Sequence, residues 1–209
     1  MKSLLTLAFV GLFSSFSFAQ EPTEPVAPEK KEKAPAPAPV PAKEVTVVVS
    51  TSMGDIHIEL DSKNAPGTVE NFLKYVDSKS YDGTIFHRVM NGFMIQGGGF
   101  KIEKDTFKKT KTNAPIKNES EKTPANMRGT IAMARTSAPN SATNQFFINV
   151  ADNAFLNYPN NGGGYATFGK VTKGLEIVDK IKAAKTTSKN GMQNVPVETI
   201  TIKSIKRAK

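Results

Sequence analysis

The chain has no cysteine among its 209 residues. Disulfide bonds, thiolate metal sites and cysteine nucleophiles are therefore excluded. Without covalent cross-links a folded domain must be stabilised by its hydrophobic core, and a chain of this length can form one. No apolar run reaches the roughly 20 residues that a membrane-spanning helix needs, so we expect no stable insertion into a membrane.

Histidine is scarce, with two residues in the whole chain. His57 lies on the polar side of an alternating stretch, which is typical of a surface residue, and His87 stands alone in Phe86-His87-Arg88. One histidine without a partner at ligand spacing makes a poor metal site. We therefore expect neither a metal nor a cofactor.

Two common catalytic motifs are also missing. No Gly-x-Ser-x-Gly occurs, which argues against a serine hydrolase of that type. The run Gly97-Gly98-Gly99 lacks the Lys-Ser/Thr pair of a nucleotide-binding loop, and no predicted helix follows it. A phosphate-binding role is therefore not predicted for the glycine run.

Basic residues outnumber acidic residues by 28 to 19, for a net charge of +9. Many of the lysines fall within residues 101–122, where glutamate and aspartate are interspersed and aromatic residues are few. This mixture is typical of a solvated basic face, and we expect no nucleic-acid partner. Charge alone supports one alternative, a protein of the cell envelope that binds polyanions.

Residues 1–19 have the pattern of an export signal. Lys2 supplies a positive charge, residues 4–13 form a short apolar run, and Ser17-Phe18-Ala19 is a cleavage site of small residues before Gln20. We therefore expect a soluble periplasmic protein, with secretion from the cell as the alternative. An uncleaved anchor is a further interpretation, but the apolar run is short for one.

Residues 20–43 carry seven of the thirteen prolines and no aromatic residue. Such a composition cannot bury a core and favours extended, polyproline-like conformations. At about 3.1 Å per residue the segment could reach roughly 70 Å. We interpret it as a disordered tether, with a ligand for a proline-binding module as the alternative. The folded domain would then comprise residues 44–209.

Strand patterns dominate that domain. In residues 54–60 the apolar Ile56, Ile58 and Leu60 alternate with polar residues, as in a half-buried strand. Other strands are predicted at residues 45–49, 85–89, 93–96, 129–134, 145–150, 167–171 and 197–205.

Two amphipathic helices are predicted between the strands. Val69, Phe72, Leu73 and Val76 recur at helical spacing after a Pro66 start, with Thr68 as the expected cap. The second helix contains Leu175, Val178 and Ile181 and follows Gly174. Many strands and two separate helices favour a mainly β fold, a closed eight-stranded antiparallel β-barrel capped by two α-helices.

Three segments carry a family resemblance. Residues 86–100 read FHRVMNGFMIQGGGF, residues 129–149 read GTIAMARTSAPNSATNQFFIN, and residues 154–171 read AFLNYPNNGGGYATFGKV. Together they resemble the cyclophilins, bacterial periplasmic members above all, and the resemblance extends over about residues 45–205. It implies a peptidyl-prolyl cis-trans isomerase that acts on proline-containing unfolded or exported polypeptides, assists their folding and is expected to be a monomer.

The resemblance also implies roles for individual residues. Arg88 matches the catalytic arginine of the family, while Gln96 and Gln145 match polar residues that hold the substrate backbone and orient this arginine. The remaining matches form the substrate site: the pocket walls Phe93, Met94, Phe147 and Leu156, the peptide-pairing edge Ala134 and Arg135, and the rim positions Phe155 and Tyr165.

Three of these positions depart from the best-known eukaryotic cyclophilins. Phe155 stands where those proteins have tryptophan, Tyr165 where they have histidine, and Arg135 where they have asparagine; one extra residue separates Met133 from Gln145. Isomerase activity is compatible with these changes, but we expect weak cyclosporin binding. A non-enzymatic cyclophilin-like binding module of the cell envelope is the alternative function.

Overall fold

A computed structural model describes residues 45–208 of the chain. The predicted export signal and the predicted tether lie outside the described residues. The twelve strands are β1 Val45–Thr51, β2 Gly54–Leu60, β3 Thr84–Met90, β4 Met94–Gly97, β5 Phe100–Glu103, β6 Thr106–Lys109, β7 Thr130–Met133, β8 Phe146–Asn149, β9 Thr167–Lys173, β10 Thr186–Lys189, β11 Met192–Pro196 and β12 Thr201–Arg207. The helices are α1 Pro66–Asp77, α2 Asn160–Gly163 and α3 Leu175–Lys182, and a 3₁₀ turn covers Ala154–Leu156.

Eight of the strands close into a barrel in the order β1-β12-β3-β4-β8-β7-β9-β2. Every neighbouring pair in the barrel is antiparallel, so the predicted eight-stranded closed barrel is confirmed. The alternation predicted for β2 is also correct, because Ile56, Ile58 and Leu60 are all buried in the core. A closed barrel leaves no sheet edge among these eight strands, and hence no row of unpaired backbone groups.

Both predicted helices pack their apolar faces onto the barrel core. Val69, Phe72, Leu73 and Val76 of α1 are buried there, as are Val178 and Ile181 of α3. The ring of Phe72 lies 5.7 Å from that of Phe146 in β8, in an edge-to-face arrangement that is favourable beyond the area it buries. No helix within residues 45–208 has the length and apolar character needed to cross a membrane.

The predicted cap of α1 is wrong. Thr68 lies inside the first turn, and the N-cap position is Ala65, which provides no side-chain hydrogen bond. The carboxylate of Glu119 takes its place: it accepts hydrogen bonds from the amides of Gly67 at 3.1 Å and Thr68 at 2.8 Å. Pro66 does begin the helix, as predicted, because proline needs no amide partner at this position.

Several local elements differ from the sequence prediction. The last strand begins at Thr201, whereas Val195 and Pro196 belong to β11 and Val197 is exposed, so the predicted range 197–205 joined a loop to a strand. The hairpins β5–β6 and β10–β11 and the short helix α2 were not predicted. Both hairpins form two-stranded sheets outside the barrel.

Candidate functional site

A second apolar cluster lies outside the barrel core. It consists of the buried Met94, Ala132, Phe147 and Leu156, with Met90, Phe93, Ala134 and Tyr165 packed against them. The cluster exists because successive side chains of a strand point to opposite faces. Phe146 belongs to the barrel core and Phe147 to the second cluster, so the pair at the start of β8 serves both.

A row of side chains, two of them members of this cluster, crosses four neighbouring strands. Arg88 of β3 lies opposite Gln96 of β4, Gln96 opposite Phe147 of β8, and Phe147 opposite Ala132 of β7. Residues paired in this way share a face of the sheet. The barrel thus places the Arg88 guanidinium, the Gln96 amide and the apolar side chains of Phe147 and Ala132 side by side, although their segments are far apart in the sequence.

A β-bulge directs Arg88 to that face. Phe86 pairs with Gly97 and Arg88 with Gln96, so two steps on β3 correspond to one on β4, and His87 is the extra residue. Phe86 belongs to the barrel core. In a regular strand Arg88 would face inward as Phe86 does, and the bulge turns it outward.

The walls of the cluster come from segments between the strands. Phe93 ends the turn between β3 and β4, Leu156 ends the 3₁₀ turn, and Tyr165 precedes β9. The Tyr165 ring is edge-to-face with Phe147 at 5.8 Å. Phe155, which is 53% exposed, lies at the rim with its ring 5.4 Å from that of Phe93.

Arg88 differs from the other three arginines of the described residues. Arg128 is held by Asp179, Arg135 by the carbonyl of Gly164, and Arg207 by Asp77. The half-buried Arg88 guanidinium has no hydrogen bond or salt bridge to another group within residues 45–208. Its central carbon lies 6.0 Å from the centre of the Phe93 ring, so its N–H groups remain available for a ligand beside the apolar cluster.

The two glutamines predicted for the site are joined. Nε2 of Gln96 donates a hydrogen bond of 2.9 Å to Oε1 of Gln145. Gly99 gives Gln145 its space, since a Cβ at residue 99 would come within 2.5 Å of Cγ of Gln145. Gly99 therefore packs against this glutamine, and β5, not a helix, follows the glycine run.

Arg135 has its side chain directed to the loop before β9. Nε donates to the carbonyl of Gly164 at 2.9 Å, and Nη2 donates to that of Asn161 at 2.7 Å. The guanidinium also stacks on the Tyr165 ring at 4.4 Å, an arrangement that stabilises both groups. The amide of Ala134 donates to the carbonyl of Gln145. Arg135 thus supports Tyr165 in addition to its predicted place at the peptide edge.

His87 is buried, and its ring lies 4.7 Å from that of Phe100. Burial lowers the pKa of His87 to about 4, and the charge of the adjacent Arg88 also favours the neutral ring. No hydrogen-bond partner for its Nδ1 is present in the described part of the chain. Within the same residues no three His, Cys, Asp or Glu side chains form a group that could hold a metal.

All eleven residues predicted for the site are close to one another or linked by contacts, but others were missed. Met90 and Ala132 belong to the apolar cluster. The alternation of β7 could have identified Ala132, whereas the bulge at His87 reverses the phase of β3 before Met90. Asn126, Asn149 and Asn153 are buried beneath it, and no pattern in the sequence marks a buried amide. The complete arrangement can hold a small apolar ring and present a charged donor to an acceptor beside that ring.

Comparison with known families agrees with this arrangement. The model of the family described as "Cyclophilin type peptidyl-prolyl cis-trans isomerase/CLD" matches residues 46–207. The chain is 53% identical to peptidyl-prolyl cis-trans isomerase A of Dickeya dadantii, covering 77% of this chain and 83% of that protein. It is 50% identical to peptidyl-prolyl cis-trans isomerase B of Escherichia coli, covering 76% and 97%.

A solved structure shares the fold. A cyclophilin-type peptidyl-prolyl cis-trans isomerase of Cryptosporidium parvum, crystallised in the presence of the dipeptide Ala-Pro, superposes with a TM-score of 0.65 at 27% identity. The alignment covers 78% of this chain and 99% of that one.

Proposed function

Because the chain belongs to the family of cyclophilin-type peptidyl-prolyl cis-trans isomerases, we propose that Arg88 and the adjoining apolar cluster are its catalytic site. The protein is a rotamase that accelerates isomerisation of X-Pro peptide bonds. Its proposed physiological substrates are exported polypeptides, whose folding it assists. The observation that supports the site most directly is the Arg88 guanidinium, which is unpaired among the described residues and borders the pocket.

The reaction requires only that the twisted amide be stabilised. Rotation about a peptide bond faces a barrier of about 18–20 kcal/mol because the planar form is stabilised by resonance. In the twisted state the prolyl nitrogen has a lone pair that can accept a hydrogen bond, whereas the planar nitrogen hardly can. A donor from Arg88 to this lone pair therefore acts on the transition state alone, and such an interaction raises the rate. A thousandfold acceleration corresponds to about 4 kcal/mol.

The apolar cluster has a separate role in this proposal. Phe93, Met94, Phe147 and Leu156 hold the proline ring by burying its surface, so that one side of the amide is fixed while the other rotates. Ala132 lies opposite Phe147 on β7 and forms part of the floor. Holding the ring also keeps the prolyl nitrogen within reach of Arg88, which is catalysis by proximity.

The substrate backbone is held at two places. Gln96 and Gln145, joined by their hydrogen bond, are proposed to bind its polar groups and to orient Arg88. The segment of Ala134 and Arg135 is proposed to pair with the extended peptide, while Phe155 and Tyr165 form the rim. These contacts fix the chain on both sides of the X-Pro bond.

The test of this site is line-shape NMR on a short X-Pro peptide, which reports exchange rate and affinity together. Arg88→Ala and Arg88→Lys should both slow exchange on the enzyme with little change in peptide affinity, since lysine lacks the planar donor group of arginine. Phe147→Ala should weaken binding as well. Arg207→Ala is the matched control, an exposed arginine paired with Asp77. Near-normal exchange in folded Arg88→Ala would exclude Arg88 as the catalytic group and would assign catalysis to the apolar pocket.

The periplasm is the proposed location, because residues 1–19 have the pattern of an export signal. Residues 20–43 are proposed to be a tether between this signal and the domain. N-terminal sequencing of the native protein should find a start near Gln20, and Met1 on a cytoplasmic species would contradict export.

A truncated chain that starts at Lys43 should keep its thermal stability and its peptide activity. A large loss of stability on truncation would show that residues 20–43 interact with the domain.

A further inference from the structure

Three asparagine side chains are buried beneath the apolar cluster. Asn126, Asn149 and Asn153 expose only 1%, 0% and 2% of their surface. Asn149 lies on β8, opposite Met94 of β4 and on the same face as Phe147. Burying an amide is costly unless its polar atoms are hydrogen-bonded, so three in one place call for a specific set of partners.

The three amides form a chain of hydrogen bonds. Nδ2 of Asn153 donates to Oδ1 of Asn149 at 2.7 Å. Nδ2 of Asn149 donates to Oδ1 of Asn126 at 3.2 Å and to the hydroxyl of Thr130 at 2.9 Å. Because each member fixes the next, the three side chains act as a unit.

The two ends of this chain hold the main chain of the pocket walls. Nδ2 of Asn153 donates to the carbonyl of Phe93 at 2.9 Å. Nδ2 of Asn126 donates to the carbonyl of Tyr165 at 3.1 Å and to that of Leu156 at 3.3 Å. All three residues belong to segments outside the barrel strands. The carbonyls of Phe93 and Leu156 also accept one main-chain hydrogen bond each, from Val150 and Tyr165, so the asparagines add a second bond to them.

We propose that Asn126, Asn149 and Asn153 are positioning residues for the isomerase reaction. They fix Phe93, Leu156 and Tyr165 at the spacing that the proline ring requires, although none of the three is part of the pocket surface. The inference rests on the proposed pocket described above. The proposal predicts that replacing these asparagines changes peptide affinity, whereas replacing other buried polar residues of the barrel changes only stability.

The expected effect differs from that of Arg88. Loss of the asparagine chain would let three pocket walls shift while the guanidinium on β3 stays in place. The proline ring would then be held less firmly, so peptide affinity falls more than the exchange rate of bound peptide. Small displacements at a site of this kind are costly, and we expect the peptide Kd to rise about tenfold.

The test uses Asn153→Leu, which keeps the size of the side chain and removes both hydrogen bonds. Asn153→Ala is the second variant, because its smaller side chain cannot clash if leucine prevents folding. Thr51→Val is the matched control: Thr51 is equally buried and bonds the carbonyl of Gly54 at 2.7 Å, but it lies on β1, which borders none of the strands of the site. The control should lose stability without any change in peptide Kd or exchange rate.

A double-mutant cycle separates positioning from a general loss of stability. Asn153 contacts the carbonyl of Phe93 directly and reaches Leu156 and Tyr165 only through Asn149 and Asn126. Its replacement in a Phe93→Ala background should therefore raise the peptide Kd less than in wild type, by about threefold instead of tenfold. Additive effects in the cycle, or a folded Asn153 variant with wild-type Kd and exchange rate, would overturn the inference. A failure of the proposed function would look different, since wild-type protein itself would not bind or isomerise the peptide.

Discussion

Gln96 and Gln145 are joined side chain to side chain by a hydrogen bond of 2.9 Å, although 49 residues separate them in the sequence. Gln96 lies on β4 directly opposite Arg88, and Gln145 stands just before β8. The bond uses one N–H of Gln96 and the carbonyl oxygen of Gln145. The carbonyl oxygen of Gln96 and the N–H groups of Gln145 therefore remain for Arg88 and for the peptide.

Breaking this bond should lower activity through Arg88. In Gln96→Leu the apolar walls are intact, but the polar side chain on β4 opposite Arg88 is lost, so we expect kcat/KM to fall about tenfold. The double variant Gln96→Leu, Gln145→Leu should be little worse than either single variant, because both remove one interaction. A coupled assay on an X-Pro peptide measures this, and strictly additive losses would contradict a joint role.

Strand alternation was the most informative pattern in the sequence. It identified the barrel strands and the inward face of β2, because burial on one side of a sheet imposes a period of two. It did not predict the position of Arg88, since the bulge at His87 shifts the phase within β3. The catalytic role proposed for Arg88 therefore rests on the family resemblance, while the reason for its orientation required the structure.

The unpredicted hairpins differ in how far the sequence could have shown them. Asn190 and Gly191 both have positive φ, at 52° and 77°, in the turn between β10 and β11. Asn-Gly is a strong hairpin sequence, so this turn could be predicted from the sequence. The turn between β5 and β6 places Lys104 and Asp105 at positive φ, which no common turn sequence would have indicated.

The long-range cap of α1 gives a prediction on stability. Glu119→Ala removes the acceptor of two helix amides and of the Thr68 hydroxyl. We expect a loss of about 1–2 kcal/mol in the free energy of unfolding, as for other N-caps. Urea denaturation measures this, with the exposed Glu121→Ala as the control that keeps wild-type stability. Equal stability of the two variants would show that water replaces the carboxylate without cost.

Inhibition by cyclosporin should be weak and should depend on Phe155. Its exposed ring provides apolar surface at the rim, but it lacks the indole N–H donor of tryptophan. Phe155→Trp should therefore bind the inhibitor more tightly. Calorimetric titration of both proteins provides the comparison. An unchanged affinity would mean that this position is not the cause of weak binding.

His87 should make the stability of the protein depend on pH. Above about pH 6.5 its ring is neutral in both the folded and the unfolded chain. Between pH 6.5 and about 4 only the unfolded chain takes up the proton, since burial lowers the folded-state pKa to about 4. The free energy of unfolding therefore falls as the pH falls through this window, by roughly 1–2 kcal/mol between pH 6.5 and 5.

The test compares wild type with His87→Phe, which keeps an aromatic ring against Phe100 and cannot titrate. Urea unfolding at pH 7 and pH 5 should show a smaller decline for this variant. His57→Gln, the replacement of the other histidine, keeps His87 and should keep the wild-type decline. Carboxylates such as Asp77 and Asp179 have pKa values lowered by their hydrogen bonds to basic partners, so they titrate below this window and are the same in all three proteins. Equal declines in wild type and His87→Phe would show that water reaches the ring at position 87 in the folded state.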